Sequence, residues 1–177
     1  MTPGIDTSGG QGGTSIWAVS AQSGAFSNTA AGNSNVTAFG LATFGVSAVS
    51  SVQAAPVVSG TSLFVIGYSP NNGGGVTLFQ FAKNDIYNGP NAIATVGLNA
   101  DLSDQWVTTP AISGNTIFVV DNNGSVSAFY KANLALQYSV DYAGPTDTGV
   151  TASPVVTENF IVLCSTSSVS CFQLDRL

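Results

Sequence analysis

The chain has no histidine, a single glutamate, Glu158, and three basic residues, Lys83, Lys131 and Arg176. Without histidine there is no Ser-His-Asp triad, no His-ligated metal and no imidazole general base. Three scattered cations cannot make a basic patch, which excludes nucleic-acid binding and attraction to anionic lipid surfaces. Charged residues are only 7% of the sequence, against roughly a quarter in ordinary soluble domains. The net charge is −6. Apolar runs are short and broken by Ser, Gly and Thr, so no transmembrane helix and no membrane insertion are expected. The opening MTPGIDTSGGQGG has neither a charged n-region nor an apolar h-region, and a targeting signal is expected to lie outside these residues.

What is present is apolar and small. Hydrophobic residues make up 44% of 177, enough for one domain with a sizeable core. Solubility must then rest on Ser, Thr, Asn, Gln and backbone groups. A surface of that kind suits secreted, cell-surface or assembled proteins and points to an extracytoplasmic location.

Residues 110–142 read as one complete supersecondary unit. Pro110 opens a short strand; Thr116–Asp121, Val126–Tyr130 and Leu136–Val140 follow as three more. Thr, Ile, Val, Phe and Tyr fill them, as a pleated, half-buried surface prefers. Asn122-Asn123-Gly124 supplies residues that tolerate positive φ in a tight hairpin.

The unit recurs. Pro56-Val-Val-Ser-Gly, Pro110-Ala-Ile-Ser-Gly and Pro154-Val-Val-Thr-Glu open three copies. The third strands align as TSIWAVSA (14–21), VTLFQFAK (76–83), SVSAFYKA (125–132) and SVSCFQLD (168–175), and the fourth strands as TAFGLAT (37–43) and ATVGLNA (94–100). Four strands per repeat of roughly 40–50 residues is the signature of propeller blades. The expectation is an all-β chain, a single β-propeller portion over residues 1–177, with blade-like units at about 14–53, 54–108, 109–152 and 153–177. Residues 1–14 are expected to be a loop, and Gly45–Gln53 an apolar continuation of uncertain type.

On these residues the units resemble the pyrroloquinoline-quinone-like (PQQ-like) repeat of quinoprotein-type β-propellers. Val119-Val-Asp-Asn-Asn-Gly-Ser-Val-Ser-Ala-Phe and Thr14-Ser-Ile-Trp-Ala-Val-Ser-Ala-Gln-Ser-Gly carry the match. The resemblance implies fold more than function, because such repeats serve enzymes and non-catalytic scaffolds alike. Blades of this family close with a Trp that docks between neighbours, and here Tyr138 stands at that place in the third unit. Its quinone-dependent dehydrogenases use Trp stacking, a calcium ion on Glu, Asn and Asp, and a catalytic Asp. That constellation cannot be placed on this chain, so no quinone is expected on it alone. Counting strands gives three and a half to four blades, a portion of a seven- or eight-bladed ring. Such an arc exposes sheet edges and a blade face. It would be completed by further blades of a longer polypeptide, by a homodimer closing the ring, or by its own ends.

Candidate chemistry is sparse. Asp101 and Asp104, in NADLSDQW, lie together between blades and could bind calcium with Asn99 or Ser103, since hard cations want several oxygen ligands; the plainer reading is a polar turn capped by Asp. Asp121-Asn-Asn-Gly resembles the start of a calcium loop without the downstream acid, and is already explained as a turn. Cys164 and Cys171 flank the last hairpin. With a two-residue loop they lie directly opposite and a disulfide is feasible, worth roughly 2–3 kcal/mol; with a four-residue loop they fall on a diagonal, and two small buried hydrophobes remain. No catalytic residue is assigned. The leading functional expectation is a non-catalytic scaffold or binding module. The alternatives are part of a quinone-dependent dehydrogenase and a self-assembling surface or fibre component.

Overall fold

The computed structural model describes residues 2–6, 13–17, 38–40, 51–52, 54–69, 75–82, 93–98, 108–121, 124–141, 149–150 and 152–174. Among them the chain forms four antiparallel sheets in sequence order. The first holds β1 (Thr2–Asp6), β2 (Gly13–Trp17) and β3 (Ala38–Gly40). The second holds β4 (Ser51–Val52), β5 (Val57–Ser59), β6 (Ser62–Ser69), β7 (Gly75–Ala82) and β8 (Ala94–Gly97). The third is β9 (Ala111–Ser113), β10 (Thr116–Val120), β11 (Ser125–Tyr130) and β12 (Leu136–Asp141). The fourth is β13 (Val155–Val156), β14 (Phe160–Cys164) and β15 (Val169–Gln173).

Two local expectations are corrected. Residues 1–14 are not all loop, because Thr2–Asp6 ladders onto Gly13–Trp17. Its residues have poor strand propensity, but β1 is an edge strand. There the nitrogen of Pro3, which carries no hydrogen to donate, can face away from any partner strand. The uncertain stretch before residue 54 contributes β4, whose Ser51 and Val52 pair with Tyr68 and Gly67 of β6. β5 pairs with the same strand further along, Val57 with Phe64. The first strand of the second sheet is thus split in two, with Pro56 just ahead of the second piece.

The repeated turn chemistry has a backbone cause. Ser59 pairs with Ser62 and Ser113 with Thr116, so Gly60-Thr61 and Gly114-Asn115 are two-residue hairpin loops. Gly60 has φ +59° and Gly114 φ +56°, the left-handed setting that a glycine-first hairpin turn requires. In the fourth sheet Glu158 takes that glycine's place. There Thr157 closes the turn instead: its N–H donates to Phe160 O at 2.8 Å, and its Oγ1 accepts from Phe160 N at 3.0 Å. A Cβ at Gly114 would meet nothing within 4 Å, so Gly114→Ala isolates the conformational term. It is expected to cost about 1–2 kcal/mol in denaturant unfolding; a neutral result would show that the turn can change type.

Period-two alternation divides each sheet into two faces. Phe64, Ile66, Val76 and Leu78 of the second sheet pack with Ile117, Val119 and Phe129 of the third. The opposite faces repeat the pattern one step on: Phe118, Val120, Val126 and Ala128 of the third sheet pack with Ile161 and Leu163 of the fourth. Tyr138 packs against this second cluster, so it stands between the third and fourth sheets. A bulge makes this arrangement: the β11–β12 register jumps from Ala128↔Tyr138 to Phe129↔Leu136, leaving Gln137 as the extra residue. Gln137 Nε2 then donates to Thr116 Oγ1 at 3.1 Å. Leu63, Val65, Phe79 and Phe81 on the other face of the second sheet are fully buried, with the Phe79 and Phe81 rings stacked at 6.1 Å.

Candidate functional site

A shallow groove of about 150 Å³ opens between the second and third sheets. Val96, Gly97 and Leu98 form one wall; Phe129 and Leu136 form the apolar floor; Asp121, Ser125, Ser127 and Ser139 supply the polar side. The bulge puts Leu136 opposite Phe129 on this face, and the β11–β12 register sets Ser125 opposite Asp141 and Ser127 opposite Ser139.

These polar groups are largely committed to one another. Asp121 Oδ1 accepts from Ser125 N at 2.8 Å, and Asp121 N donates to Ser125 O at 3.0 Å. Gly124, at φ +87°, donates its N–H to Asp121 O at 3.2 Å. Asp121 therefore caps the hairpin, as a turn aspartate does. Ser125 Oγ donates to Asp141 Oδ1, and the Ser127 and Ser139 hydroxyls are 3.1 Å apart. The result is a preorganised ladder of oxygens on a half-open sheet face. Among the described residues no three His, Cys, Asp or Glu side chains are grouped as metal ligands.

Other polar side chains tie sheet to sheet. Lys131 Nζ donates to Gly114 O at 3.1 Å and reaches Ser59 Oγ at 3.5 Å, joining the third sheet to the second. Ser153 Oγ accepts from Thr109 N at 3.1 Å, and Ser113 Oγ donates to Thr157 O at 3.3 Å, joining the third to the fourth. Inside the third sheet, the buried Thr108 Oγ1 donates to Val120 O.

Asp101 and Asp104 lie outside the described residues. Of the two hairpin geometries considered for the cysteines, the directly opposed one is not found. Cys164 pairs with Val169, and Cys171 pairs with Val162, so the intervening loop has four residues and the thiols lie on a diagonal. Both are free, Cys164 half-buried and Cys171 exposed. Hydrogen bonds from Ser165 set the length of this loop. Its N–H donates to Ser168 O at 2.9 Å, and its Oγ accepts from Ser168 N at 3.0 Å. The polar ladder of Ser125, Ser127, Ser139 and Asp141 was not singled out from the sequence. The only available signal was the serine alternation in Ser125-Val-Ser-Ala, which marks a strand face rather than a site.

No family model and no curated protein matches the sequence. Solved structures match the fold. A europium-containing methanol dehydrogenase aligns over 71% of this chain at TM-score 0.55 and 12% identity. The quinohemoprotein alcohol dehydrogenase ADHIIG from Pseudomonas putida HK5 aligns over 70% at TM-score 0.54 and 15% identity. BamB from Moraxella catarrhalis aligns over 69% at TM-score 0.50 and 14% identity. The chain spans 24%, 19% and 34% of those three proteins respectively. The class is therefore an all-β fold of antiparallel sheets like the blades of PQQ-type propellers. More particularly, its sheets resemble part of the ring of blades in those structures, a likeness of fold alone.

The groove does not suit the quinone cofactor of quinone-dependent dehydrogenases. Pyrroloquinoline quinone is a planar tricarboxylate, whereas the groove offers serine hydroxyls beside the Asp121 carboxylate, with Asp141 bound to Ser125 Oγ at its margin. Lys131 is directed to Gly114 O and Ser59 Oγ, and Phe129, only 3% exposed, offers no free ring face for stacking.

Proposed function

We propose that the chain is a non-catalytic β-propeller scaffold or binding module of an extracytoplasmic or cell-surface protein, completed by further blades. The observation that carries this reading is the use of its polar groups. Asp121, Ser125, Asp141, Ser127, Ser139 and Lys131 are hydrogen-bonded in ways that hold hairpins or join sheets. A catalytic site instead keeps titratable groups aimed at a reacting atom. The absence of histidine and the 7% charge support the same reading. The additional blades would come from a longer polypeptide or from a second copy closing the ring.

The alternative, a part of a quinone-dependent dehydrogenase, draws on the likeness to methanol dehydrogenase and quinohemoprotein alcohol dehydrogenase, which bears on fold alone. Calorimetric titration of the 177-residue chain with pyrroloquinoline quinone, with and without calcium, separates the two. The scaffold reading expects no saturable heat up to about 1 mM, a free energy weaker than about −4 kcal/mol. Stoichiometric micromolar binding would replace it with the dehydrogenase reading. A calcium-only signal would direct attention to Asp101 and Asp104.

A further inference from the structure

The fourth sheet differs from its counterparts in the same chain at its outer edge. In the second and third sheets the strand that closes the central hairpin, β7 or β11, has a further strand laid along it, β8 or β12. Leu98 N donates to Val76 O at 2.8 Å, and Leu78 stands opposite Val96. Val126 and Ala128 stand opposite Val140 and Tyr138. The overlay of Ser125 on Ser168 makes Val169 and Cys171 the counterparts of Val126 and Ala128. Both lie on β15, which pairs with β14 and is the edge of the fourth sheet among the described residues.

Hydrogen-bond direction defines what this edge offers. Ser165 N donates to Ser168 O at 2.9 Å, and Leu174 N donates to Asn159 O at 2.8 Å. By the alternation of an antiparallel ladder, Ser168, Ser170, Phe172 and Leu174 face β14, while Val169 and Cys171 turn their N–H and C=O outward. The other outer edges are blunted. β1 holds Pro3, β8 has only four residues, and β12 carries the Gln137 bulge and ends on Asp141. Such devices discourage strand pairing. β15, VSCFQ, has no proline and no charge, and its register with β14 is unbroken. Val169 is 73% exposed.

We propose that the edge of β15 is a strand-accepting site, which takes one extended segment of a partner polypeptide antiparallel to β15. The chemistry of that segment follows from the two filled copies. Val96-x-Leu98 and Tyr138-x-Val140 each set two apolar residues, one position apart, beside the hairpin strand. The partner segment therefore carries an apolar-x-apolar core with no charge at those two positions. Directly opposed residues share a sheet face, so its two apolar side chains extend the face of Val169 and Cys171. Main-chain hydrogen bonds supply the affinity of strand addition, and the alternate side chains supply its selectivity. The inference rests on the reading that other polypeptide completes this chain, and it names the edge at which completion occurs. It does not depend on whether a quinone binds.

The test titrates the 177-residue chain with a fluorescein-labelled synthetic peptide of residues 134–143, LALQYSVDYA, read by anisotropy and by amide hydrogen exchange. Saturable one-to-one binding is expected, with a dissociation constant of about 100 μM or below. Exchange at the Val169 and Cys171 amides is expected to slow about tenfold at saturation. A peptide with Lys in place of Tyr138 and Val140 is expected not to bind. Cys171→Pro removes an outward N–H, a change that an edge strand tolerates. Val169→Lys keeps the backbone and charges a side chain that is already exposed, so one of the two variants remains informative if the other fails to fold, as far-ultraviolet circular dichroism will report. Each is expected to weaken binding about tenfold or more. No saturable binding would overturn the proposal. So would binding that is indifferent to Val169→Lys, or protection that appears elsewhere and leaves Val169 and Cys171 unchanged. Failure here with no quinone binding leaves the non-catalytic reading standing; quinone binding together with peptide protection of β15 reverses only that reading.

Discussion

Phe129→Ala is expected to lower the unfolding free energy by about 3–5 kcal/mol, the range for truncating a buried aromatic. Domains of this size hold only about 5–15 kcal/mol in total, so the loss would remove much of the stability. The position explains the size of the effect. Phe129 is 3% exposed and packs from the third sheet into the cluster formed with Phe64, Ile66 and Leu78 of the second. It also floors the groove, with Leu136 opposite across the bulge. Truncation would leave a cavity at the seam between two sheets, which are held apart by their other contacts and cannot collapse freely to fill it. Guanidinium unfolding of Phe129→Ala beside Tyr130→Ala checks this, since the neighbouring Tyr130 is 52% exposed. The tyrosine variant is expected to stay within about 0.5 kcal/mol of wild type. A Phe129→Ala loss below about 1 kcal/mol would mean that the two sheets do not share a packed seam.

Leu134→Ala is expected to cost about 2–5 kcal/mol, and Leu134→Gly to be milder by about 1 kcal/mol. The order is the reverse of the usual one, in which glycine is the worse substitute. Leu134 sits at φ +58°, alone among described non-glycine residues in the left-handed region, and is 2% exposed. Its conformation closes the β11–β12 connection, where Leu134 N donates to Tyr130 O at 2.9 Å and Asn133 Oδ1 accepts from Ala135 N at 3.0 Å. Burial of the side chain against the second-sheet cluster outweighs a backbone strain of about 1–2 kcal/mol. Both variants lose the burial, but only alanine keeps the strain. Equal losses for the two would show that the turn relaxes once the side chain is gone.

Much of the strand plan was legible because its signal is local. Phe160–Cys164 is found as expected, Thr116–Val120 ends one residue short, and the hairpin at Asp121–Ser125 is capped by the aspartate that heads Asp-Asn-Asn-Gly. Each rests on alternation, β-branched residues and turn chemistry within a few positions. Thr2–Asp6 was not legible, since a strand holding Pro3 and Gly4 exists only through its ladder to β2. The candidate site was scarcely legible at all. Ser125, Ser127, Ser139 and Asp141 meet across β11 and β12 only after the Gln137 bulge has set the register, and a bulge leaves no reliable trace in composition.

The amino-acid order alone determined the repeat, the all-β class and the exclusion of histidine chemistry, because period-two alternation and residue type are properties of neighbours along the chain. Tertiary structure decided which faces became seams. Val126 and Ala128 are buried while their repeat counterparts Val169 and Cys171 are exposed. The two pairs are similar in sequence, and what differs is whether another sheet stands against them. It also decided the placement of the cysteines: hydrogen bonds from Ser165 set a four-residue loop, and a two-residue shift of register moved the two thiols from opposed to diagonal. Burial and register depend on groups distant in sequence, and local propensity carries no information about them.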